Sequence, residues 1–479
     1  MNEAVTSVPD CPLVVDLDGT LVRTDLLHEG LLRLFASDPT KILSLWGWLS
    51  GGKASFKRHV AQSAFPDIES LPFDPEVLRL INAARSEGRQ VALVTASDQA
   101  YADAVAAHLR LFDEVHGSDG DTNLGGSRKA SFLEERFGTG GFDYIGDSST
   151  DLPVWEKARN ALIVSRGHDL PARPVEEVIR VETAPHSTKS LIRALRPHQW
   201  LKNILIALPM CAAFQFDGPT IWAVLVAFIC FSLTASGVYI INDLLDLSAD
   251  RRHPRKCKRP FAAGEVPIDR GVMTAGLLWV AAALMAALLL PGAFCLVLLI
   301  YFVVTAAYSL GLKKKAVLDI CTLAALYNLR IIAGAAATSI VISQWLLAFA
   351  MFLFLALAAV KRQAEMTDLE KTDPTRATGR PYQVEDLPVI RSIAMSAGYA
   401  AVLVMALYIN SATAVIIYPL PEALWLICPL LLYWTTRMVM VTHKGRMTDD
   451  PIVFTLRDRA SWAVGAGISI SILVAKIGL

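Results

Sequence analysis

From about residue 203 onward, apolar runs of 15 to 23 residues alternate with short polar loops. A helix that crosses a bilayer needs about 20 apolar residues, because every backbone group must be bonded internally once water is excluded. Nine segments qualify as candidate spans: 203–217, 219–241, 272–290, 292–310, 316–338, 343–360, 391–411, 421–440 and 461–478. The breaks near Phe216–Pro219, at Pro291-Gly292, at Thr338-Ser339 and at Pro419–Pro421 carry no Lys or Arg. Residues 1–190 follow a different pattern. Short apolar runs of strand length (from Leu13, Val91–Val94, Phe142–Ile145) alternate with amphipathic helical segments, as in an α/β protein. Between the first two strands, residues 24–85 read as a helical cap, with Leu45, Trp46, Trp48 and Leu49 giving it an apolar surface. A polar, Pro-containing stretch over about 166–190 reads as a connector. The expected organisation is an α/β Rossmann-like domain over 1–170, a linker over 171–195 and an all-α membrane domain of nine helices over 196–479.

Composition and charge sharpen this division. The chain is 53% hydrophobic, and its mean hydropathy is +0.42. It carries 45 Lys and Arg against 45 Asp and Glu. With no net charge, no global field draws in nucleic acid. The local distribution is uneven. Basic residues gather in the entry segment (Lys189, Arg193, Arg196, Lys202), the 242–271 loop, Lys313–Lys315, the 361–390 loop (Lys361, Arg362, Lys371, Arg376, Arg380) and the 441–459 loop (Lys444, Arg446, Arg457, Arg459). The positive-inside rule puts these loops in the cytosol, with the N-terminus inside and the C-terminus outside. The first residues lack a basic stretch followed by an apolar core, so no signal peptide is expected and the first domain should stay cytosolic. Seven scattered cysteines with no CxxC pair fit reduced, mostly buried thiols. A bacterial-type inner membrane is the expected location.

The second candidate span runs into Asn242-Asp243-Leu244-Leu245-Asp246-Leu247-Ser248-Ala249-Asp250. Steps of three and four residues put Asn242, Asp243, Asp246 and Asp250 on one helix face. Packed like charges repel unless a cation sits among them, and hard oxygen ligands suit Mg²⁺, which bridges substrate phosphates. The bland alternative is a solvated helix end. Directly after it, Arg251-Arg252-His253-Pro254-Arg255-Lys256-Cys257-Lys258-Arg259-Pro260 offers cations for phosphate oxygens.

This stretch resembles the first aspartate-rich motif of the UbiA superfamily of intramembrane prenyltransferases, over roughly residues 190–479. Arg196–Asn203, Tyr308–Lys313, Val317–Ile320 and Lys361–Glu365 resemble the decaprenyl-phosphate phosphoribosyltransferase branch. That resemblance implies transfer of 5-phosphoribose from phosphoribosyl diphosphate (PRPP) to a polyprenyl phosphate. Only a lone Asp319 follows span four, where quinone-forming members carry a second DxxxD. Asp319 and Arg330, about three turns apart in span five, share a face. They line a cavity or join an interhelical ion pair. Tyr308 binds phosphate or belongs to the interfacial aromatic belt. Lys361, Arg362 and Glu365 are expected to bind substrate, as are Asn242, Arg259 and Lys313. Arg196 and Lys202 hold a lipid phosphate or snorkel.

In the first half, the Leu13–Val15 run ends in Asp16-Leu17-Asp18-Gly19-Thr20, the next strand ends in Thr95-Ala96-Ser97, Lys129 lies in a Gly-rich loop, and Gly146-Asp147-Ser148-Ser149-Thr150-Asp151 closes a third. These four pieces, in order over about residues 10–170, resemble the haloacid dehalogenase (HAD) superfamily of phosphohydrolases. The resemblance implies Asp16 as nucleophile and Asp18 as general acid/base. It also implies phosphoryl binding by Thr95 and Lys129, and Mg²⁺ held by Asp16 and Asp147 with Asp151. The alternative is a decayed, structural domain. Joined, the halves suggest synthesis of a phosphoribosyl lipid followed by removal of its 5-phosphate. Two other functions stay open: an aromatic prenyltransferase consuming a prenyl diphosphate, and a transferase whose soluble domain only senses metabolites. An oligomer is compatible with all three.

Overall fold

The computed structural model describes residues 11–37, 39–165, 177–182, 187–372, 381–447 and 450–478. The first ten residues of the segment read as lacking a signal peptide, the connector residues 166–176 and 183–186, and Arg376 and Arg380 lie outside the described residues. So does the side chain of Trp46. The chain divides into two compact units. One joins Met1–Arg196 to Tyr239–Leu277, the other joins Pro197–Val238 to Leu278–Leu479.

In the first unit the elements are β1 (Leu13–Val15), α1 (Leu26–Ser37), α2 (Ile42–Ser50), α3 (Gly52–Ser63), α4 (Pro75–Ser86), β2 (Val91–Asp98), α5 (Gln99–Leu109), β3 (Glu114–Ser118), α6 (Ser127–Phe137), β4 (Asp143–Gly146), α7 (Leu152–Trp155), β5 (Asn160–Ser165), β6 (Glu177–Glu182) and α8 (Thr188–Ala194). The strands form one sheet in the order β3-β2-β1-β4-β5-β6, with every pairing parallel. Such a sheet is buried on both faces, and its central strands are accordingly apolar throughout. Leu13, Val15, Leu93 and Ile145 pack on one side with Val77, Ile81 and Val105. Val14, Ala92, Val94 and Tyr144 pack on the other with Leu133 and Val154. The strand order reverses direction at β1, so a crevice opens at the carboxyl ends of β1 and β4.

Two sequence expectations change here. The stretch read as a connector contributes strand β6, which pairs along its whole length with β5. Its β-branched Val178, Ile179 and Val181 favour a strand, a signal that the surrounding polar and Pro residues obscured. Lys129 lies in the first turn of α6 rather than in a loop; the glycine-rich run ends at Gly126, whose φ of +55° supplies the turn into the helix.

The remaining elements are α9 (Leu208–Ala213), α10 (Gly218–Leu245), α11 (Leu247–Arg252), α12 (Ile268–Leu289), α13 (Gly292–Leu310), α14 (Leu318–Thr338), α15 (Gln344–Thr372), α16 (Leu387–Ile409), α17 (Ala412–Ile417), α18 (Ile427–His443), α19 (Pro451–Thr455) and α20 (Arg459–Ile477). Among the described residues, eight helices are long and apolar enough to cross a membrane. They correspond to the last eight of the nine expected spans. The first, 203–217, is instead an eleven-residue 3₁₀ segment, Pro197–Ala207, followed by the six-residue α9. Side-chain bonds hold that segment: Asn203 Nδ2 donates to Ser232 Oγ at 3.0 Å, and Trp200 Nε1 to Ser236 Oγ at 2.9 Å.

Arg330 of α14 is 4% exposed. Its guanidinium donates to Asn203 Oδ1 at 2.9 Å, Leu326 O at 2.5 Å and Tyr301 Oη at 3.1 Å, and lies over the Tyr301 and Tyr327 rings. It thereby ties the 3₁₀ segment and α13 to α14. Leaving those acceptors unpaired is costly in a dry interior. Arg330→Met should therefore lower stability by about 2 kcal/mol or more, measured as the thermal midpoint of the solubilised full chain. An unchanged midpoint would count against this structural role.

Candidate functional site

At the carboxyl ends of β1, β2 and β4, side chains converge as the strand geometry requires. Asp16 directly follows β1, and its N–H donates to Ile145 O of β4 at 3.0 Å. Gly19 has φ +74°, and a Cβ there would sit 2.1 Å from Asp147 Oδ2. Only glycine lets Asp147 approach. Thr20 Oγ1 donates to Asp147 Oδ1 at 3.4 Å. Carboxylate oxygens of Asp16, Asp147 and Asp151 lie within 4.8 Å of one another, the one such acidic group among the described residues. Lys129 Nζ is 3.0 Å from Asp16 Oδ1 and 3.5 Å from Asp151 Oδ1. One ammonium against three carboxylates leaves negative charge over, so the oxygen-only set fits a hard divalent cation.

Electrostatics separate the roles of the carboxyls. Burial pushes the Asp16 carboxyl up, partly offset by Lys129. Burial, then the neighbouring Asp25, pushes Asp18 up to about 8, against hydrogen bonds from Ser97 and the Leu26 N–H. A carboxyl held protonated near neutrality suits a general acid. Burial alone would depress Lys129, but Asp16 and Asp151 outweigh it and keep the ammonium charged. Thr95 is buried beside them, its Oγ1 accepting from the Ser97 N–H at 3.1 Å.

Three residues around this centre escaped the sequence analysis. Ser97 donates from Oγ to Asp18. Tyr144 Oη accepts from Lys129 at 2.8 Å and donates to Asp151 Oδ1 at 2.8 Å, linking two motif residues. Lys57, on α3 of the cap, donates to Ala96 O at 2.6 Å and to Asn123 Oδ1 at 3.1 Å. A polar Tyr inside the otherwise apolar Phe142–Ile145 run was the available signal for the second. The other two depend on tertiary approach.

The aspartate motif occupies the end of α10 and the short α11. The helical ladder passes through the junction: the Asp246 N–H donates to Asn242 O at 3.0 Å and the Asp250 N–H to Asp246 O at 2.8 Å. Asp243 and Asp250 are each 3% exposed. Arg259 Nη1 bridges them, 3.2 Å from Asp243 Oδ1 and 2.5 Å from Asp250 Oδ2. Arg196 also pairs with Asp243, and its guanidinium lies over the Tyr239 ring. Burial raises the Asp250 carboxyl, with Arg259 opposing and Asp243 reinforcing the rise. Asn242 Oδ1 is buried and has no hydrogen-bond partner among the described residues. An orphaned amide oxygen beside two carboxylates that already share one cation is a donor set suited to Mg²⁺. Asp246 is half-buried at the break between α10 and α11.

In the second unit, Asp319 and Arg330 have different partners rather than each other. Asp319 is fully buried and pairs with Arg362 of α15; Arg362 Nη2 donates to Asp319 Oδ1 at 3.0 Å and to Tyr308 Oη at 2.8 Å. Tyr308 Oη in turn donates to Asp319 at 2.8 Å, and Arg362 also pairs with Glu365. Lys202 is buried and paired with Asp450. Asp450 was not singled out in the sequence, although an acidic residue before Pro451 marks a helix start. It caps α19, accepting from the Ile452 and Val453 N–H groups at 3.0 and 3.4 Å. Burial pushes its carboxyl up, but Lys202 and Lys361 prevail and hold it low. Lys313 lies half-buried on the 3₁₀ turn Leu312–Lys314.

The UbiA prenyltransferase family matches residues 203–462, more than half of the chain. The chain belongs to the UbiA prenyltransferase family. Residues 13–156 of this UbiA-family protein match the haloacid dehalogenase-like hydrolases. It is 36% identical over 472 residues to the uncharacterized protein y4nM of Sinorhizobium fredii, covering 97% of this chain and 91% of that one. It is 32% identical over 283 residues to the nodulation protein NoeC of Azorhizobium caulinodans, 58% of this chain and 91% of NoeC. It is 44% identical over 187 residues to the decaprenyl-phosphate phosphoribosyltransferase of Mycolicibacterium smegmatis, 38% of this chain and 58% of that enzyme.

Tyr144 gives the HAD-like centre a specific test. Tyr144→Phe removes the bridge between Lys129 and Asp151 while keeping the ring that packs under the sheet. Phosphomonoester hydrolysis by the full chain should fall about tenfold, at the lower end of what a lost buried hydrogen bond to charged groups costs. Steady-state rates on p-nitrophenyl phosphate check this.

Proposed function

We propose that the UbiA-like part transfers 5-phosphoribose from PRPP to a polyprenyl phosphate, releasing diphosphate, and that the HAD-like part then removes the 5-phosphate. The likeness to decaprenyl-phosphate phosphoribosyltransferases, 44% over 187 residues, carries this reading. It is supported by the buried carboxylates of Asp243 and Asp250, bridged by Arg259 with Arg196 also against Asp243, where carboxylates for a metal and guanidiniums for phosphate stand together.

Asp243, Asp246, Asp250 and Asn242 would hold Mg²⁺, which supplies charge neutralisation for the leaving diphosphate. Arg259 and Arg196, both already against Asp243, would turn their donors to phosphate oxygens. As the bond from the anomeric carbon to diphosphate breaks, positive charge develops on the ribose, and an oxygen of the lipid phosphate attacks that carbon. Lys202, paired with Asp450, and Lys361, whose charge helps hold the same carboxylate low, would hold the acceptor phosphate. The Asp319–Arg362–Tyr308 triad fixes Arg362 and, through it, Glu365 for the sugar. The protein's own part is orientation and exclusion of water.

At the HAD-like centre, Asp16 attacks the phosphorus of the 5-phosphate while Asp18 gives its proton to the departing ribose oxygen. Asp18 then takes a proton from the water that cleaves the aspartyl-phosphate, releasing inorganic phosphate. Lys129 and Thr95 hold the phosphoryl oxygens. Asp16 and Asp147, steadied by Asp151, would hold the Mg²⁺ that screens the incoming phosphate. In this account the basic loops face the cytosol of a bacterial-type inner membrane.

Membranes given PRPP labelled in the ribose, with a polyprenyl phosphate, should move label into the lipid phase. Asp243→Asn should cut that at least a hundredfold, a typical loss when transition-state charge stabilisation is removed. With label in the 5-phosphate, Asp16→Asn should trap it on the lipid, whereas the wild type frees it. Consumption of a prenyl diphosphate onto an aromatic acceptor, with PRPP untouched, would overturn the transfer reaction.

A further inference from the structure

The loop that follows the aspartate motif is fastened to the HAD-like domain within the first compact unit. Arg251, the residue after Asp250, uses all three of its donor nitrogens. Nη1 and Nη2 form a two-pronged pair with Glu29 of α1 at 3.0 and 2.6 Å, and Nε donates to Ala262 O at 3.2 Å. Glu29 and Arg251 side chains are 7% and 6% exposed. The neighbouring contacts repeat the theme. Arg252 pairs with Asp67 at 2.5 Å, Ser190 Oγ donates to Glu265 Oε2 at 2.6 Å, and Arg193 pairs with the same Glu265. Gly264, at φ +68°, passes so close to Arg23 that a Cβ would lie 2.6 Å from the Arg23 Cβ.

The geometry gives Glu29 a particular place among these. Arg251 touches both flanks of the Asp250–Arg259 pair: it follows Asp250 in sequence, and its Nε binds the loop three residues beyond Arg259. Helix α1 is itself immobilised. Its Leu26 N–H donates to Asp18 Oδ1 at 2.9 Å, and a Cβ at Gly30 would lie 2.6 Å from Tyr101 Oη. One helix of the phosphatase-like fold thus binds Asp18 through its backbone and, one turn later, Arg251 through a side chain. A buried ion pair is weak as a source of stability but strong as a register device, since either partner alone leaves an uncompensated buried charge.

We infer that Glu29 is a positioning residue of the transferase centre, acting through Arg251 to hold Asp250 and Arg259 where the aspartate motif can take up its metal. This rests on the motif being the transferase's Mg²⁺ site. It makes the HAD-like domain part of the scaffold of the transferase, in addition to any reaction of its own.

The test uses the full chain in lipid nanodiscs and follows amide hydrogen exchange over residues 246–265 as Mg²⁺ is titrated, alongside the Mg²⁺ dependence of label transfer. Wild type should show exchange slowed by Mg²⁺, and Asp243→Asn should abolish that protection. Glu29→Gln should raise the Mg²⁺ needed for half-protection, and for half-maximal transfer, about tenfold. Because Glu29→Gln alone leaves the Arg251 charge uncompensated, which can unfold the loop, the double variant Glu29→Leu with Arg251→Met is measured too. Apolar replacement of both partners keeps such a site folded, so its thermal midpoint should hold while its Mg²⁺ requirement stays raised. A double variant with wild-type Mg²⁺ half-points by both readouts overturns the role of Glu29 and leaves the transferase assignment intact. Wild-type protein without Mg²⁺ protection over 246–265 overturns both.

Discussion

A carboxylate taken out of water must have its charge balanced, and both centres of this chain are arranged around that constraint. At the sheet, Asp16 and Asp151 share the Lys129 ammonium, with Asp147 brought alongside only because residue 19 has no side chain. At the end of α10, Asp243 and Asp250 share Arg259. In α14 and α15, Asp319 and Glu365 share Arg362. In each case one cationic side chain bridges two carboxylates. Such clusters favour a further cation, and a cationic side chain that has been relieved of its carboxylate favours a phosphate. A bridging cation that can let go of its carboxylates therefore disposes a site to bind both a divalent metal and an anionic substrate.

The two chemistries place different demands on the fold. The HAD-like centre takes Asp16, Thr95 and Asp147 from the ends of three parallel strands, so their spacing follows the backbone pairing of the sheet. The aspartate motif lies where a long apolar helix stops. Its continuation, the break at Asp246 and the six residues of α11, is held by Asp250 on Arg259, Arg251 on Glu29 and Arg252 on Asp67. The loop beyond is secured by Glu265, which takes Ser190 and Arg193, and by the close pass of Gly264 along Arg23. A rigid sheet is a ready source of anchoring for such a loop, and this gives the fused domain a physical use independent of its own catalysis.

Much of the architecture was legible in the chain because periodicity reports burial directly. The uninterrupted apolar runs from 219 onward correspond to the eight long helices. The short runs at Leu13, Val91 and Phe142 correspond to β1, β2 and β4. The failures have local causes. The 203–217 run has the composition of a span, but Pro209 and the buried polar Lys202 and Asn203 favour a broken 3₁₀ and α segment held by side-chain bonds. Strand β6 was hidden because its pattern sits among polar and Pro residues. The carboxylates at 243, 246 and 250 could be recognised from helical spacing, since those neighbours lie within two turns. Their balancing and supporting groups could not. Glu29 is 222 residues from Arg251 and meets it only through the fold. The contacts of Ser97 and Lys57 likewise depend on the fold, whereas Asp450 could be read only as a helix cap and its pairing with Lys202 not at all.

The central claim, that buried carboxylates at two separate places each create a seat for a divalent cation, is most directly tested by counting bound metal. Electron paramagnetic resonance of Mn²⁺ titrated into the full chain should resolve two classes of bound ion. Asp16→Asn with Asp147→Asn should remove one class, and Asp243→Asn with Asp250→Asn the other. Unchanged Mn²⁺ stoichiometry and affinity in the second pair of substitutions would contradict the account.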